Sequence, residues 1–151
     1  MGLSISLDTN YDPEENWGGG LQEAFSYIDI FLPNETEAKA ITKSQNVEDA
    51  ILKLSNNISV VVIKLGEKGA IAKWKDDSII VCDAKTVKVM DTVGAGDSFD
   101  AGFIFGYLNE WTQKKNLKMA VTCGTLSTLQ PGGTSGQANL FEAMNFMGQN
   151  I

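Results

Sequence analysis

The segment DTVGAGDSF, residues 91–99, holds the residue types best suited to chemistry in this chain of 151 residues. A stretch that predicts a strand, 86–90, precedes it, and an apolar periodic stretch, 98–111, predicts a helix after it. Gly94 and Gly96 permit a tight turn and a close approach of the backbone to a ligand. The first N–H groups of a helix lack intrahelical acceptors and lie at the positive end of its dipole. The segment therefore predicts a site for a phosphoryl group in transfer.

Asp97 places a carboxylate at this predicted anion site. A carboxylate repels a static phosphate, so a structural role alone gives little reason for its position. A general base that accepts the proton of an attacking hydroxyl would be well placed there. The alternative is an aspartate that caps a glycine turn. The residues alone leave both interpretations open.

The absence of histidine narrows the chemistry further. Ser–His and Cys–His nucleophile systems and histidine-ligated zinc sites cannot be built within the chain. A carboxylate is therefore the expected base, ahead of the alternatives Lys, Tyr and Cys. Other phosphate motifs fit poorly. Gly66-Glu-Lys-Gly69 lacks the GxxxxGK[ST] pattern of a P-loop, and the dinucleotide pattern GxGxxG that begins at Gly94 fails at Phe99.

Composition places the chain among ordinary globular proteins and argues against several partners. Apolar residues make up 43% and charged residues 21%, which is a usual balance. The net charge of −7 without a basic stripe argues against nucleic acid. No apolar run approaches the roughly 20 residues that span a bilayer, so no membrane partner is expected. Cys82 and Cys123 form no CxxC pair, which favours a reducing, cytoplasmic location.

The elements that must position these residues alternate between strands and helices. Asn34 is a good N-cap with Glu37 three residues later, as in a capping box. The run VVVI, 60–63, is typical of a strand that is covered on both faces. This alternation predicts a single α/β domain over 1–151 with a largely parallel sheet. The predicted strands are 3–7, 30–32, 58–65, 70–74, 79–82 and 86–90, and the predicted helices are 21–28, a helix from Asn34, 47–54, 98–111, 117–129 and 140–147.

Several stretches of the sequence together resemble one known family. DTVGAGDSFDAGF, 91–103, resembles the C-terminal signature of PfkB-type, or ribokinase-like, carbohydrate kinases. The other matching stretches are LPNETEA at 32–38, VIKLG at 62–66 followed by Gly69, CGTLS at 123–127 and PGGT at 131–134. The resemblance covers essentially the whole chain. It implies a ribokinase-like three-layer α/β/α fold, truncated on its N-terminal side.

The resemblance implies roles for the residues of the glycine–aspartate segment. Asp97 would be the general base, and Gly94, Ala95 and Gly96 would supply the anion hole. Asp91 and the carbonyl of Val93 resemble part of a monovalent-cation site that would take K⁺, with Gly133 as a third member. The alternative for Asp91 is a cap at the end of a strand.

The resemblance also implies residues for magnesium and the nucleotide. Asn34 and Glu37 would act on Mg²⁺ through water, because this ion keeps much of its hydration shell; the alternative for Glu37 is a capping-box acid. Lys64, Gly66 and Gly69 would line the nucleotide, with Cys123 and Gly124 on its adenine side. Many relatives carry Thr or Ser where this chain has Lys64, whose ammonium could meet a phosphate.

These features together predict an enzyme, an ATP-dependent phosphotransferase that acts on a sugar hydroxyl with Mg²⁺. Residues 8–17 resemble fructokinases and 2-keto-3-deoxygluconate kinases. The expected partners are ATP and a small sugar, with a homodimer in the full-length protein. In the family, the N-terminal half brings most sugar-binding residues and the lid, so we expect the chain alone to be weak or inactive. The alternatives are a nucleotide-binding module without catalysis of its own and an α/β interaction protein without a nucleotide site.

Overall fold

Five strands in the described residues form one sheet in the order β1-β2-β3-β4-β5. The structure is a computed structural model, and it describes residues 2–10 and 17–148. β1 pairs in parallel with β2, and β2 in parallel with β3, with Ser6 opposite Ile30 and Ile30 opposite Val60. The strands are β1 (Ser6–Leu7), β2 (Ile30–Phe31), β3 (Val60–Lys64), β4 (Ala70–Trp74) and β5 (Ile80–Cys82).

The helices follow the predicted order, with shifted ends. The chain also forms a 3₁₀ turn at Gly66–Lys68. The helix predicted over 98–111 begins earlier, because Gly94 takes a left-handed conformation that starts the helix at Ala95. The helices are α1 (Leu21–Ala24), α2 (Glu35–Thr42), α3 (Val47–Leu54), α4 (Ala95–Leu108), α5 (Gln113–Ser127) and α6 (Leu140–Phe146).

The strand predicted over 86–90 is wrong. The backbone N–H groups of Met90 and Asp91 both donate to the carbonyl of Thr128, just after α5, at 2.8 and 3.3 Å. Val89 and Met90 are 52% and 63% exposed. A β-branched pattern makes a strand only where another strand lies beside it, and in the described residues none pairs with this stretch.

The chain divides into two compact units. One contains the residues up to 66 together with 71–81, and the other contains 67–70 and the residues from 82 onward. The core of the first unit joins the sheet to α2 and α3 and includes Phe31, Ile51 and Ile63, each fully buried. Phe25 packs on Phe31 with the ring centroids 5.1 Å apart.

The second unit is organised by close packing of α4 on α5. A Cβ atom at Gly102 would lie 2.9 Å from the sulfur of Cys123, and one at Gly106 would overlap the side-chain amide of Asn116. Phe103 and Leu117 are fully buried. The two glycines therefore let the helices approach more closely than any side chain would allow.

Two expectations concern the stretch 8–17 and the absence of a segment that spans a membrane. Most of the stretch compared with fructokinases falls on residues 11–16, which lie outside the described ranges. Among the helices of those ranges, none combines the length and the apolarity needed to cross a bilayer.

Candidate functional site

The glycine–aspartate segment forms a tight turn directly before α4. Gly94 has φ 75° and is the N-cap of the helix, with no side chain capping it. A Cβ atom at Gly94 would overlap the carbonyl oxygen of Gly133 and lie 2.8 Å from its Cα atom. Glycine is therefore required here twice, by the left-handed backbone and by the contact with Gly133.

The first turn of α4 presents backbone N–H groups beside an exposed carboxylate. Asp97 lies in this turn and its side chain is exposed, as a base that meets a substrate must be. The first intrahelical acceptor serves Ser98, whose N–H donates to the carbonyl of Gly94 at 2.9 Å. The N–H groups of Gly96 and Asp97 come before it and have no acceptor in the helix. They are the groups best placed to bind an anion.

The structure changes which amides are available to the predicted anion site. The N–H of Ala95 donates to the carbonyl of Thr92 at 3.2 Å, so this amide, expected in the anion hole, already has an acceptor. The amide of Asp97 itself was missed in the sequence. Its position as third residue of the helix would have indicated it, had the start of α4 been placed at Ala95.

Asp91 connects the turn to the loop that contains Gly132 and Gly133. Its Oδ1 accepts the N–H of Val93 at 3.0 Å, and its Oδ2 accepts the N–H of Gly132 at 2.8 Å. These backbone hydrogen bonds, the one from Val93 first, lower the pKa of the Asp91 carboxyl below its usual range. Asp91 thus caps the turn, and the interpretation as a cap at the end of a strand is wrong because no strand forms over 86–90. The K⁺ role of Asp91, Val93 and Gly133 stays a prediction.

Asn34 and Glu37 form a capping box that starts α2. Glu37 is 6% exposed, and its Oε2 accepts the N–H of Asn34 at 2.9 Å and the hydroxyl of Thr9 at 3.3 Å. Its Oε1 accepts the side-chain amide of Asn34 at 2.6 Å. A metal ion bound directly to Glu37 would have to displace these bonds, so this pair fits Mg²⁺ only through water. In the described ranges, no three Asp, Glu or Cys side chains converge as metal ligands.

Lys64, expected to line the nucleotide, makes an ion pair with Asp8. Its Nζ lies 2.9 Å from Oδ2 of Asp8, and the two side chains are 14% and 23% exposed. The backbone N–H of Lys64 donates to Pro33 at 2.9 Å, and a parallel bridge joins Lys64 to Asn34. Sequence reasoning missed Asp8 and Thr9. Their position directly after a strand of a parallel sheet was the available signal, because ligands of such sheets bind beyond the carboxyl ends of the strands.

The remaining predicted nucleotide residues serve turns and helix packing. Gly66 and Gly69 have φ 60° and 99°, and a Cβ atom at Gly69 would overlap the carbonyl oxygen of Cys82. A Cβ atom at Gly124 would lie 3.2 Å from Cβ of Phe99, so Gly124 lets α5 approach the start of α4. Burial raises the pKa of the Cys123 thiol to about 11. Contact with the nucleotide stays a prediction for all of these residues.

The predicted site residues thus fall into two groups, each within one unit. The turn before α4 and the loop around Gly133 belong to the second unit. The carboxyl ends of β1, β2 and β3, with Asp8, Asn34 and Lys64, belong to the first.

Comparison with known proteins identifies the family. Residues 5–139 match the family model described as pfkB family carbohydrate kinase. A ribokinase of Staphylococcus aureus is 35% identical over 132 residues, which are 82% of this chain and 42% of the relative. A 2-dehydro-3-deoxygluconokinase of Bacillus subtilis is 30% identical over 141 residues, which are 89% of this chain and 44% of the relative. The chain therefore spans less than half the length of these relatives.

Solved structures agree with the family. A fructokinase double mutant from Vibrio cholerae, with fructose, ADP and potassium ion, has a TM-score of 0.83 at 27% identity, over 95% of this chain and 50% of that one. An Escherichia coli protein described as a ribokinase II, with ATP and Mg²⁺, has a TM-score of 0.86 at 25% identity, over 96% of this chain and 48% of that one. The fold is ribokinase-like, and the chain belongs to the PfkB family of carbohydrate kinases.

Proposed function

We propose that this chain is the nucleotide-binding part of an ATP-dependent kinase that phosphorylates a sugar hydroxyl. The observation that carries the proposal is the first turn of α4, where the exposed Asp97 carboxylate accompanies the N–H groups of Gly96 and Asp97. A phosphoryl group in transfer needs little covalent help. It needs positioning and stabilisation of charge, and backbone amides at the start of a helix supply both.

In the proposed mechanism, Asp97 accepts the proton of the attacking hydroxyl as its oxygen bonds to the γ-phosphorus. The amides of Gly96 and Asp97 stabilise the negative charge on the phosphoryl oxygens. Asp91 holds the turn in place through Val93 and Gly132. Asn34 and Glu37 would orient the water ligands of Mg²⁺, which would supply positive charge to the phosphates of ATP.

The chemical class of the acceptor comes from the relatives. Fructose is bound in the Vibrio cholerae structure, and the relatives include ribokinases and 2-dehydro-3-deoxygluconokinases. Each of these names refers to a small sugar or sugar acid that carries alcohol groups. We therefore propose an alcohol of a small sugar as the acceptor, with fructose and 2-dehydro-3-deoxygluconate as the first compounds to assay.

The base assignment is tested by Asp97→Asn in a complete kinase that contains this chain. We expect turnover to fall by about 10²-fold or more, the lower range for loss of a general base, while ADP affinity measured by calorimetry changes little. Asp76→Asn, an exposed carboxylate in the turn between β4 and β5, is the matched control and should keep its turnover. Turnover of Asp97→Asn close to that of the unmodified enzyme would rule out Asp97 as the base.

A second candidate function is a nucleotide-binding module without catalysis of its own. The observation that favours it is the share of the relatives that this chain covers, 42% and 44% of the two named above. The chain is incubated with ATP, Mg²⁺ and a panel of sugars, and sugar phosphate is measured beside ADP binding. Binding without product supports the module, and clear product formation rejects it. A well-folded chain that binds neither ATP nor ADP would point to an interaction protein.

A further inference from the structure

The ion pair of Asp8 with Lys64 lies at the edge of the sheet where ligands of parallel sheets bind. Asp8 directly follows β1, and Lys64 is the last residue of β3. Both strands pair in parallel with β2, so their carboxyl ends lie at the same edge. In open α/β sheets, ligands bind beyond that edge. An anionic ligand that binds at this edge could therefore contact the ion pair.

The pair is built across an intervening strand. β2 lies between β1 and β3, so two strand spacings, roughly 10 Å, separate the backbones that carry the two charges. The long lysine side chain crosses this distance and places Nζ 2.9 Å from Oδ2 of Asp8. With side chains 14% and 23% exposed, the two charges are partly withdrawn from water, and neither is loosely held at the surface.

Hydrogen bonds hold the backbone of Lys64 and the carboxylate of Asp8 in place. The backbone N–H of Lys64 donates to the carbonyl of Pro33, and a parallel β-bridge joins Lys64 to Asn34. Oδ1 of Asp8 accepts the N–H of Asn10 at 3.2 Å, which holds the carboxylate in a local turn. The next residue, Thr9, donates its hydroxyl to Glu37. The segment after β1 thus contacts both a predicted nucleotide residue and a predicted magnesium residue.

We propose that Asp8 is a positioning residue that holds the Lys64 ammonium at this edge and competes with a phosphate group for it. A bound polyphosphate exchanges places with the Asp8 carboxylate as the partner of Lys64. Asp8 thereby sets the affinity for the anion, because the phosphate contact with Lys64 replaces an existing charge-assisted hydrogen bond. The identity of the natural anion, a nucleotide, rests on the proposed function. The exchange itself does not.

The test is a double-mutant cycle on Asp8 and Lys64, read by calorimetry with inorganic tripolyphosphate and, separately, with ADP. We expect Asp8→Asn to tighten binding on the order of threefold to tenfold, because the negative charge of the Asp8 carboxylate no longer competes with the anion for Lys64. Lys64→Met should weaken binding roughly tenfold. In the Lys64→Met background, Asp8→Asn should bring no gain, since the exchange needs the ammonium.

Asp29→Asn is the matched control, because it removes the same negative charge from a residue near β1. Asp29 also contacts the segment that leads into β1, since its Oδ2 accepts the N–H of Ile5 at 2.9 Å, but it lies just before β2, away from the carboxyl edge. The variant loses the same charge and should leave tripolyphosphate affinity unchanged. An equal gain in Asp29→Asn, or a gain by Asp8→Asn that persists without Lys64, would show a general field effect and overturn the proposal.

A measurement on the unmodified chain covers the case in which Asp8→Asn does not fold. The Cε resonance of Lys64 in ¹³C-lysine-labelled protein, assigned by its loss in Lys64→Met, should move as tripolyphosphate is added. A resonance that stays in place overturns the proposal.

The proposed nucleotide site and the proposed exchange at Lys64 can be refuted independently. Exchange with tripolyphosphate but no binding of ADP or ATP refutes the nucleotide site alone, whereas ADP binding with no effect of Asp8→Asn refutes the exchange alone.

Discussion

The carboxylates of this chain differ in how far the fold already uses their hydrogen-bonding capacity. Both oxygens of Glu37 accept hydrogen bonds inside a capping box, and both oxygens of Asp91 accept backbone amides. Oδ1 of Asp8 accepts the N–H of Asn10, and its Oδ2 accepts the Lys64 ammonium. Asp97 instead stands exposed in the first turn of a helix. For this reason Asp97 is the carboxylate that we assign to proton transfer.

The hydrogen bonds to Asp91 predict a defined dependence of stability on pH. Because its pKa is lowered in the folded chain, its contribution is present above the unfolded pKa of about 3.9 and is lost as the pH falls through the folded pKa. We expect the difference in free energy of unfolding between the unmodified chain and Asp91→Asn to be constant above about pH 5 and to shrink below about pH 4. Urea unfolding at a series of pH values measures it. A difference that does not change down to pH 3 would contradict the bonding described for Asp91.

At the scale of elements, the turn before α4 depends on contacts between two glycine-containing segments. Gly94 packs against Gly133, and Asp91 binds Gly132, so the loop after α5 supports the start of α4. Gly94 and Gly132 both have left-handed backbones, at φ 75° and 81°. They differ in their surroundings, because a Cβ atom at Gly132 would meet nothing within 4 Å.

This difference allows backbone strain to be separated from the close contact. Gly132→Ala should cost only the left-handed conformation, about 1–2 kcal/mol. Gly94→Ala should cost that amount and a further ~1–3 kcal/mol for the overlap with Gly133. Urea unfolding of the two variants gives both values. Equal losses of stability would mean that the contact between Gly94 and Gly133 adds nothing.

Local features of this fold were predictable, and distant partners were not. Asn34 with Glu37, and the helix over 47–54, are encoded within a few neighbouring residues, and the structure confirms both. The stretch 86–90 has the composition of a strand, but whether a strand pairs depends on residues far away in the sequence. Asp8 and Lys64 are 56 positions apart, so the local signal that could have indicated Asp8 as a site residue could not have indicated its partner. The turn before α4 was predictable because its glycines and aspartate are contiguous, and its role in binding phosphate stays a prediction.

At the scale of the whole molecule, the chain passes between its two units three times. The crossings fall between residues 66 and 67, 70 and 71, and 81 and 82. β4 begins with Ala70 in one unit and continues with residues of the other. Neither unit on its own contains all the residues of β4.

The expectation of a single domain therefore becomes a prediction about cooperativity. Trp74 belongs to the first unit and Trp111 to the second, so single-tryptophan variants report on each separately. We expect the fluorescence transitions of the Trp17→Phe/Trp74→Phe and Trp17→Phe/Trp111→Phe variants in urea to coincide with the circular dichroism transition of the same protein. Fluorescence and circular dichroism midpoints that separate within either variant would instead show two domains that unfold independently.

The three crossings of the chain between its two units also limit where the gene can be cut or recombined. A gene fragment that ends anywhere between codons 67 and 81 would divide a unit, because each unit takes residues from both sides of that stretch. Recombination in this interval would join halves that must already match in sequence. We therefore expect an exchange within this interval between distant relatives to disturb both units.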